Sequence, residues 1–278
     1  MVSFLITLCL FKETIPKRKT VPRPRRARVD STASEDTLVD GKFLLLNDEP
    51  VPLRDLFVYP VIISISNYVS IAFLNICMNA LVPLFFAMPI EIGGLGLDPP
   101  TIGLTMGMYG LGCGAFQALF FSPIVRRYGE KRIFMFGVFT FIPMFAMFPV
   151  ISLVARHYGL CTRVWILVTI FLSLLAVMDL AYGCIFMYIT ASAPNKRSLG
   201  ATNGLSQTTV SIARAIGPAM STSLFSISVE KNILGGYGVY ALLSFLSMLS
   251  FILASRLPAK VWEEKEDYSY HDRPLVAE

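Results

Sequence analysis

Residues 164–190 read VWILVTIFLSLLAVMDLAYGCIFMYIT, a run in which Asp179 is the only charged residue. A helix needs roughly 20 mostly apolar residues to cross the hydrocarbon core of a bilayer, so this run is long enough to span it. Five other segments have the same character, and charged residues fall almost entirely at the breaks between them. The six predicted spans are 56–88, 100–122, 133–153, 164–190, 199–229 and 233–255.

The composition also indicates a membrane protein. Of the 278 residues 54% are hydrophobic and 15% are charged, and the mean hydropathy is +0.61, which is too apolar for one soluble domain. We expect an all-α polytopic protein with a six-helix transmembrane domain at 56–257. Residues 1–11 are interpreted as the remnant of a preceding membrane segment, 12–55 as a disordered cytoplasmic linker, and 258–278 as a cytoplasmic tail.

Lysine and arginine are concentrated on alternate breaks. They precede the first span and fill the second-to-third and fourth-to-fifth loops, whereas the first-to-second loop has Glu91 and Asp98 and no base. Arg156 and Arg163 in the third-to-fourth loop depart from this pattern. Because cytoplasmic loops carry the excess of basic residues, we predict an integral multi-pass protein with both termini in the cytoplasm.

Several classes of protein are excluded or disfavoured. The net charge of +5 comes from loop bases that orientation explains, so no nucleic-acid partner is expected. Both histidines lie outside the predicted spans, and the five cysteines have no metal-ligand spacing. A Gly-rich phosphate loop is also missing from the sequence. We therefore expect no enzyme activity, no catalytic residues, no metal and no cofactor.

Two of the spans carry polar stripes. The residues fall on one side of each helix at about 100° per residue, and such a stripe faces protein or water rather than lipid. In the first span they are Ser64, Asn67, Tyr68, Asn75 and Asn79, and in the fifth they are Asn203, Gln207, Ser211, Arg214, Pro218 and Ser221.

The six spans form two groups of three. In the second span a glycine face permits close contact between helices, and it consists of Gly103, Gly107, Gly110 and Gly114. The third and sixth spans have no charge and no amide, so we expect them to face lipid. Two triplets that each end in an outer helix predict a bundle of two three-helix repeats, the order expected of half a transporter.

Asp179 and Arg214 are the two ionisable residues deep in the spans. They lie at similar depth on consecutive helices, and a charge in hydrocarbon is costly unless paired, so we predict that their side chains lie within hydrogen-bonding or one-water reach of each other. Two interpretations stay open: a substrate or proton site, or a static pair that fixes helix register.

The first and fourth spans lead their triplets, and their polar atoms cannot face lipid. We therefore expect a central polar cavity between them, with interhelical hydrogen bonding as the alternative. The residues expected to line it are Asn67, Asn75, Asn79, Asp179, Tyr182 and Phe186.

The loop SPIVRRYGEKR at 122–132 resembles the G-x-x-x-D-R-x-G-x-R motif of the major facilitator superfamily, which joins the second and third helices of each six-helix half. Arg126 stands where that family has Asp, so the family's carboxylate is missing from the loop. Gly129 is free to adopt a turn conformation. The resemblance implies a gating loop made of Arg126, Arg127, Gly129, Lys131 and Arg132.

A second stretch, APNKRSLGATNG at 193–204, is followed by Gln207, Arg214 and the triplet Gly-Pro-Ala at 217–219. It resembles the C-terminal half of drug:proton antiporters, especially fungal and plant proteins akin to zinc-induced facilitators and tetracycline efflux proteins. The run ETIP at 13–16 resembles the point where the sixth helix of such proteins enters the central linker. The resemblance covers nearly the whole chain.

The resemblance implies a secondary active transporter in a lipid bilayer, with a small molecule as substrate and protons as a candidate coupling ion. It also implies that an N-terminal six-helix half is missing, or that a partner chain replaces it. From the polar stripes and the charges within the spans, the residues expected to bind the substrate are Asn67, Asn75, Asn79, Asp179, Tyr182 and Arg214. The alternative is a non-transporting membrane fragment or interaction subunit. A six-helix channel or carrier of another family is disfavoured, because the Asn-Pro-Ala repeat of water channels and the repeated motif of mitochondrial carriers are missing from the sequence.

Overall fold

The computed structural model describes residues 56–195 and 198–258. The interpretations of residues 1–11 and 12–55, and nearly all of the predicted tail at 258–278, therefore lie outside the described residues. The described part of the chain forms six long helices, α1 to α6, with a short 3₁₀ helix, Ile90–Ile92, after α1. The helices are Tyr59–Ala87, Pro99–Tyr128, Glu130–Tyr158, Thr162–Ser192, Leu199–Glu230 and Gly238–Ser255.

Proline and glycine account for several helix boundaries. Proline occupies the first turn of α1 and of α2, where a missing backbone N–H removes no helical hydrogen bond. Gly129 alone separates α2 from α3 and has a φ of 81°, which confirms the predicted turn conformation. Gly159 ends α3 with a φ of 67°. Because left-handed backbone is costly for residues with a Cβ, glycine permits these abrupt reversals.

The prediction of an all-helical membrane protein is confirmed. Of the six helices in the described part of the chain, five are long and apolar enough to cross a membrane: α1, α2, α3, α4 and α6. The helix α5 was expected to span as well and is among the longest, with 32 residues, but it does not reach that level of hydropathy. The reason is the polar stripe already visible in its sequence, which includes Gln207 and Arg214.

The helices pack in two groups around a shared core. In one group α3 lies against both α4 and α6, and in the other α1 lies against α5 and α4. An aromatic contact joins the groups, since the ring centroid of Phe148 in α3 lies 5.0 Å from that of Phe85 in α1. Within the first group the Phe148 centroid lies 4.5 Å from that of Tyr240 in α6. The helix α2 has far fewer contacts with its neighbours than α3.

The expectation that the third helix would face lipid is only partly right. Half of the most apolar part of α3 is buried within the chain, compared with 11% for α2. Phe136, Phe139 and Leu153 of α3 are exposed, but Phe141, Phe145 and Phe148 are fully buried. The absence of polar residues does not tell whether a side chain faces lipid or another helix, because an apolar surface packs equally well against lipid tails and against apolar helices.

Gly137 allows the close approach of α3 and α4, and we expect Gly137→Ala to destabilise the bundle. A Cβ at this position would lie 2.7 Å from the Cβ of Ala181, which cannot rotate away. Overpacking of this kind costs about 1–3 kcal/mol. The thermal unfolding midpoint of the purified chain in detergent should fall. The control is Gly112→Ala in α2, where no atom lies within 4 Å of the added methyl group; an equal fall in both variants would contradict the explanation.

Candidate functional site

Asp179 lies near the midpoint of α4 (Thr162–Ser192) and is partly exposed. Its Oδ2 accepts a hydrogen bond of 2.8 Å from the hydroxyl of Tyr109 and one of 3.3 Å from the thiol of Cys113. The amide Nε2 of Gln117 in turn donates to the Cys113 sulfur over 3.3 Å. The carboxylate of α4 is therefore held by a short polar chain on α2.

The sequence interpretation missed these three partners of Asp179. Tyr109, Cys113 and Gln117 follow one another at intervals of four residues, so they lie along one face of α2. This spacing was a signal that could have identified them. It was less conspicuous than the glycine face on the same helix, where a Cβ added to any member would meet no atom of the described chain within 4 Å.

Arg214 lies at the midpoint of α5 (Leu199–Glu230) and is exposed. Its Nη2 donates to the hydroxyl of Tyr68 in α1 over 3.4 Å, and that hydroxyl donates to Oε1 of Gln207 over 3.4 Å. These are long hydrogen bonds. The Arg214 guanidinium is thus directed towards α1. It also points towards the side-chain amide of Gln207, which lies about two turns earlier on α5.

Within the described residues Asp179 and Arg214 do not contact each other directly, so the directly hydrogen-bonded form of the predicted pair is wrong, whereas a pair bridged by one water molecule stays a prediction. Asp179 accepts from α2, whereas Arg214 donates to α1. The phenol of Tyr182 interacts electrostatically with both charged groups. Matching depth along two helices did not determine the direction in which each side chain points around its helix axis.

The three asparagines of α1 separate into two environments. Asn67 is 1% exposed, and its Nδ2 donates to the carbonyl of Ile63 in its own helix. It therefore packs inside the bundle and does not line an open cavity, contrary to the prediction. Asn79 is exposed and donates to Oδ1 of Asn75 over 2.9 Å, and Asn75 contacts the sulfur of Met178 in α4. At about 100° per residue, Asn67 lies at the far edge of the stripe from Asn79.

Aromatic rings of α1 and α4 pack together beside the charged residues. The ring of Tyr68 is fully buried, and its centroid lies 5.0 Å from that of Phe186 and 6.3 Å from that of Tyr182. Phe186 is 39% exposed. One face of the described bundle therefore combines a carboxylate, a guanidinium, amides and aromatic surface, which suits an organic molecule with polar and apolar parts.

This face has no arrangement suited to metal binding. Across residues 56–195 and 198–258, no group of three or more His, Cys, Asp and Glu side chains is placed to hold a metal ion. The chemistry that the face offers is hydrogen bonding, charge pairing and the binding or release of a proton by one carboxyl group.

The basic residues at the junction of α2 and α3 contact the end of α6 through Lys131, which lies in the first turn of α3. The Lys131 ammonium donates to the carbonyl of Ser255 over 3.1 Å, and the Arg127 guanidinium lies 5.7 Å from the centroid of the Tyr128 ring. Arg126 is exposed, and Arg127 is exposed beside it. The gating role implied for this loop stays a prediction.

The chain matches the family model described as "Major Facilitator Superfamily" over residues 1–218 and 68–267. It is similar to the major facilitator-type transporter psiT2 of Psilocybe cyanescens, with 27% identity over 80% of this chain and 44% of that protein. It is also similar to the major facilitator superfamily multidrug transporter mfsB of Aspergillus fumigatus, with 25% identity over 81% of this chain and 37% of that protein.

A plant relative is the protein zinc induced facilitator-like 1 of Arabidopsis thaliana, with 25% identity over 69% of this chain and 37% of that protein. The chain spans about half the length of the relatives it matches. No solved structure matches it.

Proposed function

The chain belongs to the major facilitator superfamily, and on this premise we propose that it forms one six-helix half of a proton-coupled secondary transporter for a small organic molecule. The observation that carries the proposal is the position of Asp179. It is a partly exposed carboxylate near the middle of a long apolar helix. Ionisable residues at such depth are costly and mark substrate or proton pathways.

The proposed site uses the face that carries both charges. Asn75, Asn79, Tyr182 and Arg214 contact the substrate, and Asp179 binds and releases the coupling proton beside Tyr109. Relatives named as multidrug transporter and efflux pump support a small organic substrate. Asn67 is left out of the binding face because it is buried.

A second six-helix unit completes this site, either as an N-terminal half of the same protein or as a partner chain. The surfaces that it covers are the glycine face of α2 and the exposed side of α5, which includes Arg214. Transporters of this kind bind substrate at the interface of two such units and alternate access by rocking one against the other.

Proton-coupled transport is expected only when both halves are present. The test uses proteoliposomes with an internal pH dye, to which a panel of small organic molecules is added. The assembled halves should move protons in response to at least one of them, and the chain alone should not. Proton movement at the background level with every compound, by a well-folded assembly, would favour the alternative of a non-transporting membrane subunit.

We infer from the loop charges that the α2–α3 loop and both termini face the cytoplasm, and that Asp98 before α2 faces the other side. A cysteine at position 98 should react with an impermeant maleimide added outside intact cells. The same cysteine at Arg126, which is also exposed, should react only after the membrane is opened. The reverse pattern would contradict the orientation.

A further inference from the structure

An apolar groove lies between α2, α3 and α4, on the side of α4 away from the candidate site. It has a volume of about 440 Å³. Six of the side chains that line it are apolar: Phe116, Ile124, Ile133, Phe136, Val177 and Leu180. At about 100° per residue, Leu180 and Val177 point about 100° and 160° away from Asp179 around the axis of α4. The groove and the polar face are therefore separate features.

The groove opens at the outer surface of the bundle. Phe136 of α3 is 58% exposed and Tyr128 at the end of α2 is 52% exposed, whereas Leu180 at the back is 4% exposed. Apolar side chains with this exposure on a membrane-spanning helix contact either lipid or another protein. An open, apolar groove of this kind offers room for a flexible chain beside the helices.

The length of the groove corresponds to one leaflet. Phe116 is thirteen residues before Gly129, which at 1.5 Å per residue is about 20 Å along α2. Half of a hydrocarbon core is about 15 Å. A hydrocarbon chain that begins at the α2–α3 loop therefore reaches about the middle of the membrane inside the groove.

Positive charge lies at the loop end of the groove. Arg132 lines the groove itself and is exposed. The adjoining ends of α2 and α3 also carry Arg126, Arg127 and Lys131, against Glu130 as the single acid between 122 and 132. A guanidinium presents several N–H donors in a planar arrangement that fits phosphate oxygens. The groove thus combines an apolar interior with an anion-binding entrance.

We propose that this groove binds one acyl chain of an anionic phospholipid, with Arg132 holding the lipid phosphate. The lipid belongs to the leaflet on the α2–α3 side of the membrane. This proposal does not depend on transport, because it needs only the described bundle in a bilayer. The bound lipid fills the space that the weak packing of α2 leaves beside α3 and α4.

The test places a fluorescent reporter in the groove of the full chain. Phe136→Trp is introduced into a background in which Trp165 and Trp262 are replaced by Phe, and the protein is reconstituted into phosphatidylcholine vesicles. Two samples are then compared, in which a minor fraction of the lipid carries brominated acyl chains that quench tryptophan on contact. The brominated lipid is phosphatidylglycerol in one sample and phosphatidylcholine in the other. Brominated phosphatidylglycerol should quench with an apparent affinity about fivefold higher, the factor that corresponds to about 1 kcal/mol for one base near the membrane surface.

Two variants separate a bound lipid from general attraction to the loop. Arg132→Gln should remove the preference for phosphatidylglycerol, and Arg126→Gln, which removes the same charge outside the groove, should keep it. Equal quenching by the two lipids would overturn the proposal. The proposal would also fail if both substitutions lowered the preference equally, or if neither lipid quenched because another protein segment fills the groove.

Discussion

Replacing Asp179 by asparagine is expected to reduce proton-coupled transport by a twelve-helix assembly to the level of empty proteoliposomes. The side chain keeps its size and its ability to accept from Tyr109 and Cys113, but it can no longer carry a proton. Arg214 loses no direct partner, because it donates to Tyr68. We therefore expect nearly normal amounts of folded protein in size-exclusion chromatography.

Asp98→Asn is the matched control, since Asp98 is an exposed aspartate that precedes α2, outside the predicted spans. Transport by this variant should be unchanged. Two outcomes would refute the role of Asp179. One is normal coupled transport by Asp179→Asn, and the other is a loss of folded protein large enough to explain its inactivity, which would indicate a structural role.

The second large effect is expected at the glycine face of α2. Gly110→Leu should prevent association with the second six-helix unit, because a leucine would hold the two helices apart. Overpacking costs about 1–3 kcal/mol, and each 1.4 kcal/mol weakens association about tenfold. Co-purification of the two halves should fall by about fivefold or more. The six-helix fold itself should remain intact, because no atom of the described chain lies within 4 Å of a Cβ at this position.

Gly112→Leu makes the same change two residues further along α2, on nearly the opposite side of the helix. A Cβ at that position also meets no atom of the described chain within 4 Å. Any general effect of a larger side chain on α2 should therefore be the same in the two variants. Association should be retained in Gly112→Leu. If both variants associate as well as the wild type, the glycine face does not form the interface.

The helices and their boundaries were largely predictable from the sequence. The backbone N–H and C=O groups of a membrane helix bond to each other within the helix. A long apolar run with charges at its ends is therefore almost sufficient to predict each helix. The turn at Gly129 was also predictable, because the chain reverses within one residue between two basic segments.

The contacts between helices were predictable only in part. Hydropathy could not tell that Phe141 and Phe145 of α3 face other helices while Phe139 faces outwards. The positions of Asp179 and Arg214 along the apolar spans predicted their depths in the membrane. Their partners, however, depend on the rotation of each helix about its own axis. The same reason explains Asn67, which belongs to the polar stripe of α1 and yet points into the packed interior.

Photo-crosslinking from α2 in the native membrane tests most directly whether this chain is one half of a larger transporter. A diazirine analogue of leucine would replace Leu111, which is 80% exposed and lies beside the glycine face, and in a second sample Leu153, which is 54% exposed on the outer side of α3. We predict an adduct with a second six-helix protein segment from position 111, and adducts with lipid alone from position 153. Adducts with lipid alone from position 111 would contradict the account.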